Sequence, residues 1–130
     1  LEATSIIVDQ FSFIQWAGNH SRENEGYKEI IYDMKNSAID YDIPWYVAAQ
    51  FNRTAGESED TWPTAQQIGL TRAVEEASDL IMALKTNDEL REERQVMLGV
   101  IEARHCESGP NARWTIQTNF YETTEFFLVR

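Results

Sequence analysis

Two short apolar runs, each closed by a polar residue, frame the first third of the chain: Ser5-Ile-Ile-Val-Asp9 and Trp45-Tyr-Val-Ala-Ala-Gln50. Strands of this kind that lie parallel cannot be joined by a tight turn; they need a crossover of a dozen or more residues, usually a helix. The intervening segment supplies one. Tyr27, Ile30, Ile31, Met34 and Ala38 recur at helical spacing as a single apolar stripe, while Lys28, Glu29, Asp33 and Lys35 fall largely on the other side. The spacing predicts a helix from about Asn24 that ends at Asp42-Ile-Pro44, because proline disfavours a helical residue before it. The unit is therefore strand, helix, strand. Its continuous apolar first run predicts a central strand covered on both faces, with the helix stripe packed on the sheet. Asp9 and Gln50 are expected side by side at the carboxyl edge, where parallel α/β sheets place their ligands.

Further along, Phe51 to Pro63 turns polar, at a length typical of functional or mobile loops. Thr64 to Ala77 reads as a second helix with Ile68, Ala73, Val74 and Ala77 as core contacts, although Gly69 weakens it. Leu80 to Leu84 reads as another strand, Lys85 to Arg94 as an exposed connection with room for a short helix, and Val96 to Ile101 as a further buried strand with Arg104 just past its end. Gly109-Pro110-Asn111 is a turn, Arg113 to Thr118 an antiparallel strand and Phe126 to Val129 a final one. The pattern is parallel crossovers first and hairpins last.

At 130 residues and 42% hydrophobic, the chain suits one globular domain. Its four Trp, five Tyr and six Phe argue against intrinsic disorder, and no apolar run approaches the roughly 20 residues of a membrane-spanning helix. The start, Leu1-Glu-Ala-Thr-Ser5, lacks both an initiator Met and the features of a secretory signal, so the chain reads as an excised or processed piece. The lone Cys106 favours a reducing compartment, hence the cytoplasm. Twenty-two acidic against eleven basic residues, a net charge of −11, exclude a whole-surface nucleic-acid binder; any such contact must be local. His20 stands in a polar loop, and His105 with Cys106 lacks a second pair at zinc spacing.

Three segments then carry a resemblance. Val47-Ala-Ala-Gln50-Phe-Asn-Arg53, Arg72-Ala-Val-Glu-Glu-Ala-Ser-Asp79-Leu-Ile and Val100-Ile-Glu-Ala-Arg104, in this order after Asp9, resemble the carboxyl-terminal part of the motor of replicative hexameric helicases of the DnaB type, in a phage-like form. The resemblance implies an α/β, RecA-like P-loop NTPase core, here partial, with parallel central strands and antiparallel carboxyl-terminal strands, and it makes all of residues 1–130 one portion of that motor domain. It implies that Asp9 holds Mg²⁺, a hard cation that takes one or two carboxylates and keeps several waters. It also implies that Gln50 senses the ATP γ-phosphate through an amide able to donate and accept. Arg104 would reach ATP held by a neighbouring subunit in a ring, expected to be a hexamer, where its guanidinium would stabilise the transferring phosphoryl group. Loops at about Ser12 to Glu23 and Phe51 to Gln66 would meet single-stranded DNA, with Asn52 and Arg53 as the best contacts and Arg22 and Asn19 weaker ones. A primase or a helicase loader is the protein partner such a motor would meet.

The chain departs from the family pattern in four places. Glu102 stands where the family has a lysine two residues before its finger arginine; Glu57, Glu59 and Asp60 make the second loop acidic; and no Gly-x-x-x-x-Gly-Lys-Ser/Thr loop and no catalytic glutamate upstream of Asp9 occur. A chain cut just before the first strand explains the last two, and so does a degenerate module that has lost hydrolysis; the cut is the expectation. Each residue also has a plainer reading: Asp9 as a strand end, Gln50 as a satisfied polar group, Arg104 as a surface arginine paired with Glu102 or Glu107. Two other functions stay open, a non-catalytic RecA-like oligomerisation or partner-binding module and a recombinase-type RecA-like ATPase.

Overall fold

The structure, a computed structural model, describes residues 3–15, 23–52, 62–68 and 72–117. Their contacts divide the chain into two compact units, Leu1–Ala55 with Thr64–Ser78 and Gly56–Pro63 with Asp79–Arg130.

The first unit is the crossover unit. Strand β1 (Ile6–Val8) pairs in parallel with β2 (Trp45–Val47), Ile6 opposite Trp45 and Val8 opposite Val47. Helix α1 (Glu23–Tyr41) joins them, within a residue of the span its periodicity predicts. Two backbone bonds cap its end. Asp42 takes a left-handed conformation at φ 51°, the Asp42 N–H donates to the Ile39 carbonyl at 3.4 Å, and the Ile43 N–H donates to the Ala38 carbonyl at 3.1 Å. Asp tolerates that conformation better than most residues, and these two bonds satisfy carbonyls the helix would otherwise orphan. Pro44 follows and its carbonyl accepts from the Ile6 N–H at 2.9 Å, which opens the parallel ladder.

The apolar stripe of α1 packs chiefly on the turn after β1 and on α2. Ile31 is buried with Phe11, Ala73 and Ala77, and Ile14, Tyr27, Ile30, Met34 and Val74 pack around them. Phe11, only 1% exposed, belongs to a 3-10 turn (Phe11–Phe13) directly after β1 and meets the Tyr27 ring at 5.5 Å in a tilted arrangement. β1 is correspondingly covered on one face only. Ile7, expected to be buried in a central strand, is 75% exposed. Alternating side chains of a strand point to opposite faces, and among the described residues no element covers the face that Ile7 occupies.

The predicted helix from Thr64 to Ala77 is instead a 3-10 turn (Ala65–Gln67) followed by the short α2 (Ala73–Ala77). The cause is tertiary. Ile68 is drawn into an extended conformation, φ −72° and ψ 112°, where it forms an antiparallel bridge with Phe51, and the Asn52 N–H donates to the Gln67 carbonyl at 2.8 Å. The four expected core contacts keep their places, with Ile68, Ala73 and Ala77 buried and Val74 half-buried. α2 is fastened to α1 by the Tyr32 hydroxyl, which donates to Glu76 Oε2 at 2.5 Å, while Arg72 pairs with the other carboxylate oxygen at 3.3 Å.

The second unit is a meander of three antiparallel strands, β3 (Leu80–Lys85), β4 (Gln95–Ala103) and β5 (Arg113–Gln117). The charged connection contains helix α3 (Asp88–Glu92), started by Asn87, whose Oδ1 accepts from the Leu90 N–H at 2.8 Å. β3 alternates, with Ile81 and Ala83 buried and Leu80, Met82 and Leu84 exposed, so it too is covered on one face. Between Ile81 and Met82 the register with β4 shifts by one residue, a bulge that leaves Ile101 unmatched. Gly109, at φ 88°, makes the turn into β5. On the covered side the Trp62 ring packs on β4 at Gly99, where an added Cβ would come within 2.2 Å of the ring, and the Arg113 guanidinium lies over the ring at 4.7 Å from its centroid. The expected strand at Phe126 to Val129 lies outside the described residues. No helix of the described residues is long and apolar enough to cross a membrane.

These contacts can be tested in each unit. Gly99→Ala forces the Trp62 ring off β4 and is expected to destabilise the fold by about 1–3 kcal/mol, the usual cost of overpacking, measured by urea denaturation. The second test concerns the bond between α1 and α2. Its hydrogen bond, followed by the charges of Arg72 and Lys28, holds the Glu76 carboxyl below its ordinary value against desolvation. The same bond, with desolvation and the Glu76 charge, holds the Tyr32 hydroxyl above its ordinary value. A depressed carboxyl gives stability that is present above its ordinary 4.5 and lost as pH falls; a raised phenol gives stability that is present below its ordinary 10.0 and lost as pH rises. Tyr32→Phe should therefore lower Tm most near neutral pH, with the difference from the parent shrinking in both acid and alkali.

Candidate functional site

The parallel register brings the ends of β1 and β2 together. Beyond the last ladder pair, the Ala48 N–H donates to the Val8 carbonyl and the Phe11 N–H to the Ala48 carbonyl, each at 2.9 Å, so the chain after β1 is laced to the chain after β2. Asp9 and Gln50 both emerge on this rim, exposed to solvent. The side chain that touches Gln50 is that of Gln10. Gln50 Nε2 donates to Gln10 Oε1 at 3.2 Å, and Gln10 Nε2 donates to Ser12 Oγ at 2.7 Å. Three polar side chains from two strand ends thus form one chain of hydrogen bonds, and the peptide between Asp9 and Gln10 is cis.

Sequence reasoning passed over Gln10 and Ser12. The signal available was that a polar residue follows Asp9 at the rim before the buried Phe11, but only the register shows that its amide faces Gln50. Asp9 makes no hydrogen bond or ion pair among the described residues, leaving both carboxylate oxygens to solvent. Asn52 is exposed one residue past the Phe51 bridge, with its backbone held by Gln67. Arg22, Arg53, Asn19, Trp16 and His20 lie outside the described residues, as does most of each proposed loop.

Arg104 belongs to the second unit. It follows β4 directly, three residues beyond the bulge, and the open end of the β3–β4 pair fixes it twice: its N–H donates to the Asp79 carbonyl at 3.0 Å, and Nη1 lies 3.4 Å from Asp79 Oδ1. Asp79 is the acid that leads β3. Both side chains are about half exposed, so the pair orients the guanidinium and adds little stability. Glu102 is exposed two residues earlier. Cys106 is a free, exposed thiol, and the described residues contain no group of three or more His, Cys, Asp or Glu placed to hold a metal. A Mg²⁺ ion bound by a single carboxylate needs no such group, because water and phosphate oxygens complete its shell, and the uncommitted Asp9 carboxylate fits that mode.

No family model matches the sequence, and no curated protein does. Solved structures do match the fold. The chain superposes on a solved structure described as an ATPase domain with a TM-score of 0.79 at 17% identity, over 95% of this chain and 44% of that one. It superposes on a DnaB-like replicative helicase, solved in a study of its interactions with primase, with a TM-score of 0.75 at 17% identity, over 86% of this chain and 28% of that one. The chain thus spans less than half the length of either. Its mixed α/β fold, a parallel pair followed by an antiparallel meander, is that of part of a RecA-like helicase ATPase domain.

Proposed function

We propose that this chain is the carboxyl-terminal portion of the motor domain of an ATP-dependent replicative DNA helicase, which couples hydrolysis at subunit interfaces to movement along single-stranded DNA. The observation that carries the reading is the parallel pairing of β1 with β2, which puts a free carboxylate and an oriented amide on one rim of a helicase-type ATPase fold. Ligands of parallel α/β sheets bind outside the carboxyl ends of the strands.

In this reading Asp9 holds Mg²⁺ through water, and the bound metal and ATP supply the phosphoryl chemistry. Gln50 donates an amide hydrogen to a γ-phosphate oxygen and accepts from the attacking water, which lets one side chain distinguish ATP from ADP. Arg104, oriented by Asp79, acts on the nucleotide of a neighbouring protomer, so the active form is a ring, expected to be a hexamer. Asn52, Arg53 and Arg22 are the proposed contacts to single-stranded DNA, and a primase or helicase loader is the proposed protein partner, working in the cytoplasm. A partner-binding module on the same fold is the second reading. It is favoured by one observation: Leu84, Leu98 and Trp114 are paired side by side across the meander, and Leu84 and Trp114 are exposed.

The purified 130 residues are expected not to turn over ATP, and robust hydrolysis by them alone would refute the assignment. In the complete protein, Gln50→Ala is expected to leave folding intact while abolishing stimulation of hydrolysis by DNA, read from ATPase rates with and without single-stranded DNA. Arg104→Ala is expected to lower kcat by about 10³-fold, the smaller end of the range for a trans-acting arginine. Mixing it with Asp9→Ala protomers should restore part of the rate, because each variant supplies what the other lacks; no recovery in mixed rings would remove Arg104 from the trans role.

A further inference from the structure

The Gln50 amide is not left to rotate. One of its N–H groups is spent on Gln10 Oε1 at 3.2 Å, and Gln10 is itself fixed by its donation to Ser12 Oγ at 2.7 Å. A terminal amide has two donor hydrogens and one acceptor oxygen, and its torsion is broad and nearly two-fold when unconstrained. With one hydrogen committed, Gln50 keeps one N–H and its Oε1, and neither has a partner among the described residues. Those are the two functions a γ-phosphate sensor needs, a donor for a phosphate oxygen and an acceptor for the attacking water. The orientation is set from β1, since Gln10 lies between the metal-binding candidate Asp9 and the buried anchor Phe11. Phe11 is locked in the core and its N–H is bonded to the Ala48 carbonyl, so the segment carrying Gln10 is itself firmly seated.

We propose that Gln10 is a positioning residue for Gln50, holding the sensor amide in its productive rotamer and tying it to Ser12, where the first proposed DNA loop begins. This rests on the assignment of Gln50 as the phosphate sensor. The consequence is that Gln10 acts on turnover only through Gln50, and touches neither nucleotide nor metal.

The test has two arms. In the 130-residue chain, the side-chain amide resonances of Gln50, identified by their loss in Gln50→Ala, should shift on Gln10→Ala, with a smaller shift on Ser12→Ala; unchanged resonances would show that the bond is not formed in solution and overturn the proposal. In the complete protein, Gln10→Ala should lower kcat by about threefold to tenfold with KM nearly unchanged, the kinetic equivalent of one hydrogen bond. Gln10→Glu, which keeps an acceptor for Gln50 and can take a hydrogen from Ser12, should recover most of that loss. In a Gln50→Ala background, Gln10→Ala should cost nothing further. If Gln50→Ala impairs turnover and Gln10→Ala adds to it independently, the positioning role fails while the sensor assignment stands. If Gln50→Ala leaves hydrolysis and its DNA coupling untouched, the sensor assignment fails and takes the positioning role with it.

Discussion

The candidate site depends on one constraint, the parallel pairing of two three-residue strands. Parallel strands must be bridged by a long crossover, and a pair this short has few ladder bonds of its own, so its register has to be fixed from outside. Two anchors do that. At the entrance, the left-handed Asp42 stops α1 and delivers Pro44 to the Ile6 N–H; at the exit, Phe11 drops into the core and its N–H takes the Ala48 carbonyl. A slip of one residue would reverse every side chain on β2 and carry Gln50 away from Gln10. The nineteen residues of α1 serve the same end, since their apolar stripe grips Phe11 and α2 and so holds both strand ends in place.

The second unit is held by different means. β3 and β4 are joined through a capped short helix, their ladder contains a bulge, and Arg104 comes off the end beside Asp79. The seating of Trp62 on Gly99 stiffens the middle of this sheet: the ring replaces the side chain that β4 lacks, and Arg113 closes over it from the neighbouring strand. Bulges bend and twist a strand locally, which aims residues just beyond them. Because the guanidinium and the Asp79 carboxylate are both about half exposed, their pairing orients Arg104 and adds little stability.

On the rim of the first unit, Asp9 offers a carboxylate of the kind that suits a hydrated cation, and Gln50, bonded to Gln10, offers an amide of the kind that suits phosphate oxygens. The net charge of −11 means that the general field of the protein repels a polyanion, so that any such binding would have to rest on local contacts.

Periodicity and punctuation were enough to locate α1, its stop before Pro44, β1, β2 and the meander strands, because each is specified by residues close together in the chain. The order of polar strand ends, Asp9 then Gln50 then Arg104, was legible for the same reason. Burial was not. Continuous apolar runs look alike whether a strand is covered on one face or two, and only the packing shows Ile7, Leu80 and Met82 exposed. The single helix expected over Thr64 to Ala77 divides because Phe51, distant in the chain, claims Ile68 for a bridge, and local propensity carries no record of such a claim. Likewise Gln10 beside Gln50, Tyr32 on Glu76 and Asp79 beneath Arg104 are pairings across turns and strands. Sequence alone determined which groups the chain can offer and in what order; tertiary structure decided which of them meet, because hydrogen bonds act over about 3 Å and only the folded register brings distant residues that close.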